Sequence, residues 1–229
     1  MLTIKKRISN ITNSIKVAEN EAGRPLNSVQ LLAVSKTWPS ALLREAAQAG
    51  QQYFGENYLQ EALIKIDELS DLNLEWHFIG PIQSNKTKDI ASQFDWVQSV
   101  DRLKIAQRLS NQRPPDLANL NICIQINIDD EASKAGITVD ELLPFAEKIN
   151  QLERLTLRGL MIIPTKTDDE SQQRASFQKA RQIFEQLQSI YPSVDTLSMG
   201  MSADMSLAIE EGSTLVRVGT ALFGTRTVA

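Results

Sequence analysis

Val29-Gln30-Leu31-Leu32-Ala33-Val34-Ser35-Lys36-Thr37-Trp38-Pro39 is an apolar, partly β-branched run that ends in an amine and then in a proline. Residues 29–35 read as a buried strand. Pro39 suits the first turn of a helix, where its missing N–H is not needed. Lys36 therefore falls at the carboxyl end of a strand, where a strand-to-helix loop begins. Open and closed α/β folds gather their ligands at that end. A lysine partly desolvated there has a lowered pKa, and its neutral amine can attack an aldehyde to form a Schiff base. Taken alone, Lys36 reads as a solvated strand-end lysine; two later segments change that reading.

The same strand-then-helix pattern repeats along the chain. Further strands are expected at 52–55, 76–80, 96–100, 122–127, 157–163, 196–199 and 215–219, giving eight in all. Helices are expected between them at 40–49, 57–69, 103–109, 139–149, 169–190 and 203–211. Gly50 and Gly212 stand where C-terminal caps belong. Ahead of the first strand, Ile4, Ile8, Ile11, Ile15 and Ala18 recur at helical spacing and predict an extra amphipathic helix. Eight strands with intervening helices predict an α/β protein, a single (β/α)8 barrel of the TIM type over residues 1–229. A doubly wound open sheet is the alternative. The stretch 112–117, with Arg113-Pro114-Pro115, reads as a loop within the barrel rather than a linker.

The chain's 229 residues suffice for one barrel with a substantial core. Its 24 basic and 28 acidic side chains leave a net charge of −4, which gives no electrostatic case for nucleic acid or an anionic membrane. The single cysteine, Cys123, lies in an apolar run and reads as core. It has no internal disulfide partner, which fits a reducing compartment. No run is long enough to span a bilayer and the start lacks a signal-peptide pattern, so a cytoplasmic protein is expected. With His77 as the only histidine, a site of several histidines around a metal is excluded and no metal is expected.

Two segments carry chemistry besides Lys36. In Leu197-Ser198-Met199-Gly200-Met201-Ser202-Ala203-Asp204 a strand ends at a glycine, and Ser202 stands where it could cap the next helix. A helix start with free N–H groups binds phosphate. Alone, the segment reads first as an ordinary capped helix, with Asp204 supporting its N-terminus from the solvent side. In Val216-Arg217-Val218-Gly219-Thr220-Ala221-Leu222-Phe223-Gly224 the last strand places Arg217 opposite its apolar neighbours, then offers a glycine and Thr220. A cation there needs an acceptor, either a carboxylate in an internal salt bridge or a ring nitrogen. Phosphate sites in barrels of this type follow strands seven and eight, which these segments are. An aldehyde trap, a phosphate cradle and a permanent donor together match the needs of pyridoxal 5′-phosphate.

These motifs resemble those of the pyridoxal-phosphate homeostasis proteins, a family with bacterial, cyanobacterial and human members. The resemblance runs over nearly the whole chain. It rests on Ala33-Val34-Ser35-Lys36, Phe54-Gly55-Glu56-Asn57-Tyr58, Trp76-His77-Phe78-Ile79-Gly80-Pro81-Ile82-Gln83-Ser84-Asn85-Lys86, Gly159-Leu160-Met161 and the two segments above. It implies a barrel like the N-terminal domain of alanine racemase. It further implies Lys36 as the lysine that holds the cofactor as an imine, and Ser202, Gly219 and Thr220 around the phosphate with the backbone of Met201 nearby. Arg217 would face the pyridine nitrogen, and Asn57 would stand at the cofactor rim.

The family and the site chemistry together predict a cofactor carrier without robust turnover and with no catalytic residues. It would buffer the free aldehyde or deliver it to apo-enzymes, with indirect effects on amino-acid and keto-acid pools. An arginine at the ring nitrogen disfavours its protonation and weakens the ring as an electron sink. Racemases with that arginine add a tyrosine base from a second domain, and none of Tyr53, Tyr58 and Tyr191 has that sequence context. The rival readings are a racemase or related amino-acid enzyme, and a cofactor-free barrel acting on sugar phosphates through Lys36. His77 reads as a hydrogen-bonded structural residue near the cofactor face, Lys86 and Lys88 as a solvated face, and the chain as a monomer.

Overall fold

In the computed structural model, which describes residues 2–225, each apolar run of the sequence becomes a strand of one closed parallel barrel. The order is α1 (Ile4–Glu21), β1 (Gln30–Val34), α2 (Ser40–Gln48), β2 (Tyr53–Glu56), α3 (Leu59–Glu68) and β3 (Glu75–Phe78). A 3-10 turn, Ser84–Lys86, then leads into α4 (Thr87–Gln93), β4 (Trp96–Val100), α5 (Leu103–Gln112) and β5 (Leu120–Ile126). The chain continues through α6 (Leu142–Asn150), β6 (Leu155–Ile162), α7 (Glu170–Ile190), β7 (Thr196–Met201), α8 (Met205–Glu210), β8 (Leu215–Val218) and α9 (Thr220–Phe223). Strands pair in sequence order, and β8 returns to β1 with Leu32 opposite Arg217 and Ala33 opposite Val218. The (β/α)8 expectation holds and the open-sheet alternative falls.

The extra helix α1 starts at Thr3, whose side chain accepts from the Lys6 N–H, and buries the apolar stripe read from the sequence. It packs on α2, α8 and α9, so it covers the seam where the barrel closes. Near its end, Glu19 is fully buried. Its carboxylate accepts from the backbone N–H groups of Asn27 (3.0 Å) and Val29 (2.8 Å) and from the Ser28 hydroxyl. These donors make its burial tolerable and fix the turn into β1. The main core lies between strands and helices, with Leu43, Ala46, Phe177 and Leu187 among its sealed members. A separate apolar group, Trp96, Cys123 and Met161, comes from β4, β5 and β6. Burial pushes the Cys123 thiol far up, in keeping with a core cysteine.

The structure departs from the sequence expectation at several helix starts. Asn57 lies at a bend and Tyr58 is extended, so α3 opens at Leu59 and Asn57 belongs to the loop. Glu141 accepts from both the backbone and the hydroxyl of Thr138, which forms a turn and delays α6 to Leu142. Helix α4 was foreshadowed only as a helix start near Lys86 and Lys88, because Ile90 and Ala91 are its only buried apolar residues. The expected cap at Ser202 is a correction: Asp204 is the N-cap residue of α8, its side chain caps no helical N–H, and Ser202 lies in the preceding turn. No helix among the described residues is long and apolar enough to cross a membrane.

Candidate functional site

Lys36 follows β1 in a turn that neighbouring groups hold from three sides. The Ser35 carbonyl accepts from the Trp38 N–H (3.1 Å) and from Lys65 Nζ (2.9 Å). Ser35 Oγ donates to Glu56 Oε1 at 2.6 Å. Thr37 has φ +68°, a left-handed conformation unfavourable for a β-branched residue. Its N–H donates to Glu61 Oε2 at 2.9 Å, which helps to hold that conformation. Beneath the turn, Lys65 and Glu56 form a buried ion pair at 2.7 Å. Burial raises the pKa of the Glu56 carboxyl against the opposing pull of Lys65.

Asn57 is placed by Gly80. A Cβ at position 80 would fall 2.2 Å from the Asn57 carbonyl oxygen, so only glycine lets these two loops touch. Asn57 Oδ1 is buried and accepts from no described group. On the far side, Gly200 (φ +92°) turns the end of β7, and a Cβ there would strike Ala208 at 2.6 Å. That turn presents Met201 and Ser202 at the carboxyl end of the barrel. Asp204 Oδ1 accepts the Met201 N–H, so this backbone donor already has a carboxylate partner. Gly219 and Thr220 follow β8, with Thr220 opening α9.

Arg217 is 5 % exposed and donates through Nη1 to Ser198 Oγ (2.7 Å) and through Nη2 to the Ile162 carbonyl (2.8 Å). Burial lowers its pKa to about 10 while Asp204 pulls the other way, so the guanidinium is charged at neutral pH. The expected alternative of an internal salt bridge is not what the described bonds show: both partners are neutral oxygens.

All of these side chains converge. Lys36, Asn57, Met201, Ser202, Arg217, Gly219 and Thr220 line one cavity of about 330 Å³ at the carboxyl ends of the strands. That size suits a small ligand. Sequence reasoning missed the apolar wall, Val34, Ile79, Met161 and Ile163, which shares the cavity. Their place at the carboxyl ends of β1, β3 and β6 was the available signal. A larger cavity, about 680 Å³, lies at the amino ends beside α1 and includes Trp96, Arg158 and Asp195.

His77 does not line the cavity shared by Lys36 and Arg217. It is sealed within the barrel, stacked on Trp96 with ring centroids 5.1 Å apart, and hydrogen-bonded to Glu75 and Gln98. Burial lowers its pKa, with Glu75 opposing. It is therefore hydrogen-bonded as expected, but it lies deeper than the cavity lining. Lys86 and Lys88 lie outside the cavity, Lys86 half-buried and Lys88 exposed. Among the described residues, no three His, Cys, Asp or Glu side chains are grouped to hold a metal.

A parallel barrel with an amine, a guanidinium and hydroxyls at its carboxyl rim defines the class to which the comparisons also point. Residues 7–227 match the family model described as alanine racemase, N-terminal domain. The pyridoxal phosphate homeostasis protein of Pseudomonas aeruginosa is 55% identical over 226 residues, covering 99% of this chain and 97% of the relative. Its Escherichia coli K12 counterpart is 50% identical over 232 residues, covering 99% and 98%. Among solved structures, PipY of Synechococcus elongatus with PLP bound is 38% identical, with a TM-score of 0.82 over 97% of this chain and 100% of that one. The chain belongs to the pyridoxal phosphate homeostasis protein family.

Proposed function

We propose that this chain binds pyridoxal 5′-phosphate as an imine on Lys36 and serves in intracellular homeostasis of that cofactor, buffering it or delivering it to apo-enzymes. The observation that carries this reading is that Lys36 and Arg217 line one small cavity with the hydroxyls of Ser202 and Thr220. The cavity fits the group: a primary amine for the aldehyde, a permanent donor for a ring nitrogen, and hydroxyl donors for phosphate oxygens. The buried, unpartnered Asn57 Oδ1 is a further acceptor awaiting a donor. The bound cofactor in the PipY relative supports the same assignment.

In this reading Lys36 supplies the covalent link. Ser202, Thr220 and the backbone at Gly219 and Met201 surround the phosphate, with Ser202 acting from a turn rather than as a helix cap. Arg217 donates to the ring nitrogen, and Asn57 stands at the rim. Because the guanidinium donates its own hydrogen, it leaves that nitrogen unprotonated, which blunts the ring as an electron sink. That supports binding without robust turnover, consistent with relatives named as homeostasis proteins. A cytoplasmic monomer that meets its recipients by collision completes the proposal.

A racemase-type activity is the second reading, favoured by the shared alanine racemase N-terminal domain. Two assays separate the readings. The loaded protein should reactivate an apo-transaminase faster than the same free cofactor concentration allows. It should also leave solvent deuterium out of the α-position across a panel of amino acids. Reactivation no faster than spontaneous cofactor release removes delivery. Deuterium uptake that Lys36→Ala abolishes establishes the enzyme.

A further inference from the structure

A single file of hydrogen bonds crosses the inside of the barrel from Arg217 to its opposite end. Arg217 Nη1 lies 2.7 Å from Ser198 Oγ, and Ser198 Oγ lies 2.7 Å from Gln98 Oε1. Gln98 Nε2 then lies 2.9 Å from His77 Nδ1, and His77 Nε2 lies 2.9 Å from Glu75 Oε1. These residues come from β8, β7, β4 and β3. Strands β7 and β4 are not neighbours in the closed sheet, so the Ser198–Gln98 bond must span the interior. Ser198, Gln98 and His77 are fully buried, whereas the Glu75 side chain is 36% exposed beside Gln52, Tyr53 and Asp95.

The chemistry of the two ends, together with a ring that burial disfavours charging, fixes the direction of every link. A guanidinium only donates and a carboxylate only accepts. Ser198 must therefore accept from Arg217 and donate to the Gln98 carbonyl. The Gln98 amide must donate to a bare His77 Nδ1, leaving His77 Nε2–H for Glu75. With burial disfavouring the charged ring, these links select one neutral tautomer. Chains of this kind strengthen each member and leave a costly orphan when one is removed.

We propose that Ser198, Gln98, His77 and Glu75 are positioning residues for Arg217, a one-way donor file through which the amino end of the barrel sets the orientation of the cofactor's ring partner. The proposal rests on the cofactor reading above. Without the Glu75 acceptor, the other His77 tautomer becomes preferable and the Gln98 amide must turn over to accept from it. The amide N–H then competes for Ser198 Oγ, the oxygen that anchors Arg217.

His77 is the only histidine in the chain, so ¹⁵N-histidine labelling reports this ring with no assignment problem. The cofactor-free protein should show hydrogen on Nε2 and none on Nδ1. Pyridoxal-phosphate affinity and the absorption band of the loaded protein should then be compared in Glu75→Leu, Glu75→Gln and Gln98→Met, each confirmed folded by its melting curve. Glu75→Leu and Gln98→Met should weaken binding roughly five- to twentyfold and shift the band. Glu75→Gln keeps an acceptor and should stay within about twofold. Glu75 is half-exposed, so its variants keep the test available if Gln98→Met fails to fold. Hydrogen on Nδ1 in the wild type, or equal behaviour of Glu75→Leu and Glu75→Gln, overturns the proposal. A wild type that takes up no cofactor sinks the function proposed above, and the ring spectrum still decides the file.

Discussion

Lys65 Nζ lies 2.7 Å from Glu56 Oε1, and both are buried directly behind the turn that carries Lys36. Lys65 also takes the Ser35 carbonyl, so one ammonium ties the end of β1 to the end of β2. Breaking a buried pair from one side strands the other charge. Lys65→Met should lower stability by about 3 kcal/mol or more. Glu56→Gln should lower it less, because Lys65 keeps the Ser35 carbonyl at 2.9 Å, the amide oxygen of the new side chain and the Glu61 carboxylate at 3.7 Å. Denaturant unfolding checks the order. Equal losses in the two variants would contradict the asymmetry.

Acidification should weaken the fold through His77. Burial holds its pKa below the ordinary 6.5 in the native state, while the unfolded chain takes up a proton near 6.5. The unfolded state then binds more protons, so stability is retained above that value and declines as the pH falls below it. The slope is at most about 1.4 kcal/mol per pH unit for one group. Burial raises the carboxyls of Glu56 and Asp95, which titrate with the opposite sign. The informative quantity is therefore the wild-type curve minus that of His77→Gln between pH 8 and 5. A flat difference would show that His77 is not desolvated as described.

Asp204 places a carboxylate on the Met201 N–H, beside the hydroxyls proposed for the phosphate. Asp204→Asn keeps an acceptor for that N–H and removes the repulsion. Pyridoxal-phosphate affinity should rise about two- to fivefold at low salt, and the gain should shrink at high ionic strength. Weaker binding in Asp204→Asn would mean that the carboxylate organises the turn more than it opposes the anion.

Gly80→Ala tests the contact that seats Asn57. Its new Cβ would lie 2.2 Å from the Asn57 carbonyl oxygen, backbone that cannot rotate away. The expected cost is about 1–3 kcal/mol in stability, with weakened cofactor retention as Asn57 shifts. Melting curves and equilibrium dialysis on the same sample measure both. An unaltered melting temperature would contradict the close contact.

The barrel was legible because buried parallel strands are short apolar runs, and the site was legible where chemistry sits at their carboxyl ends, as in Lys36 and Arg217. The helix starts at 139 and 203 were misplaced because local hydrogen bonding decides them, Thr138 with Glu141 and Met201 with Asp204, and the start at 57 because Tyr58 is still extended. Apolar periodicity carries no record of those bonds. The file from Arg217 to Glu75 was equally invisible, since its members are scattered from position 75 to 217. A weak signal was present. Gln98, Ser198 and Arg217 are each polar residues inside otherwise buried strands, and such residues need partners across the barrel.

The central claim is the covalent site, and borohydride reduction addresses it most directly. The purified protein with pyridoxal phosphate should show a yellow band that bleaches on reduction, and peptide mapping should find the phosphopyridoxyl group on Lys36. Lys36→Ala should remain folded and colourless. A colourless wild type that stays unlabelled with added cofactor, or a label on another lysine with Lys36 unmodified, would contradict the account.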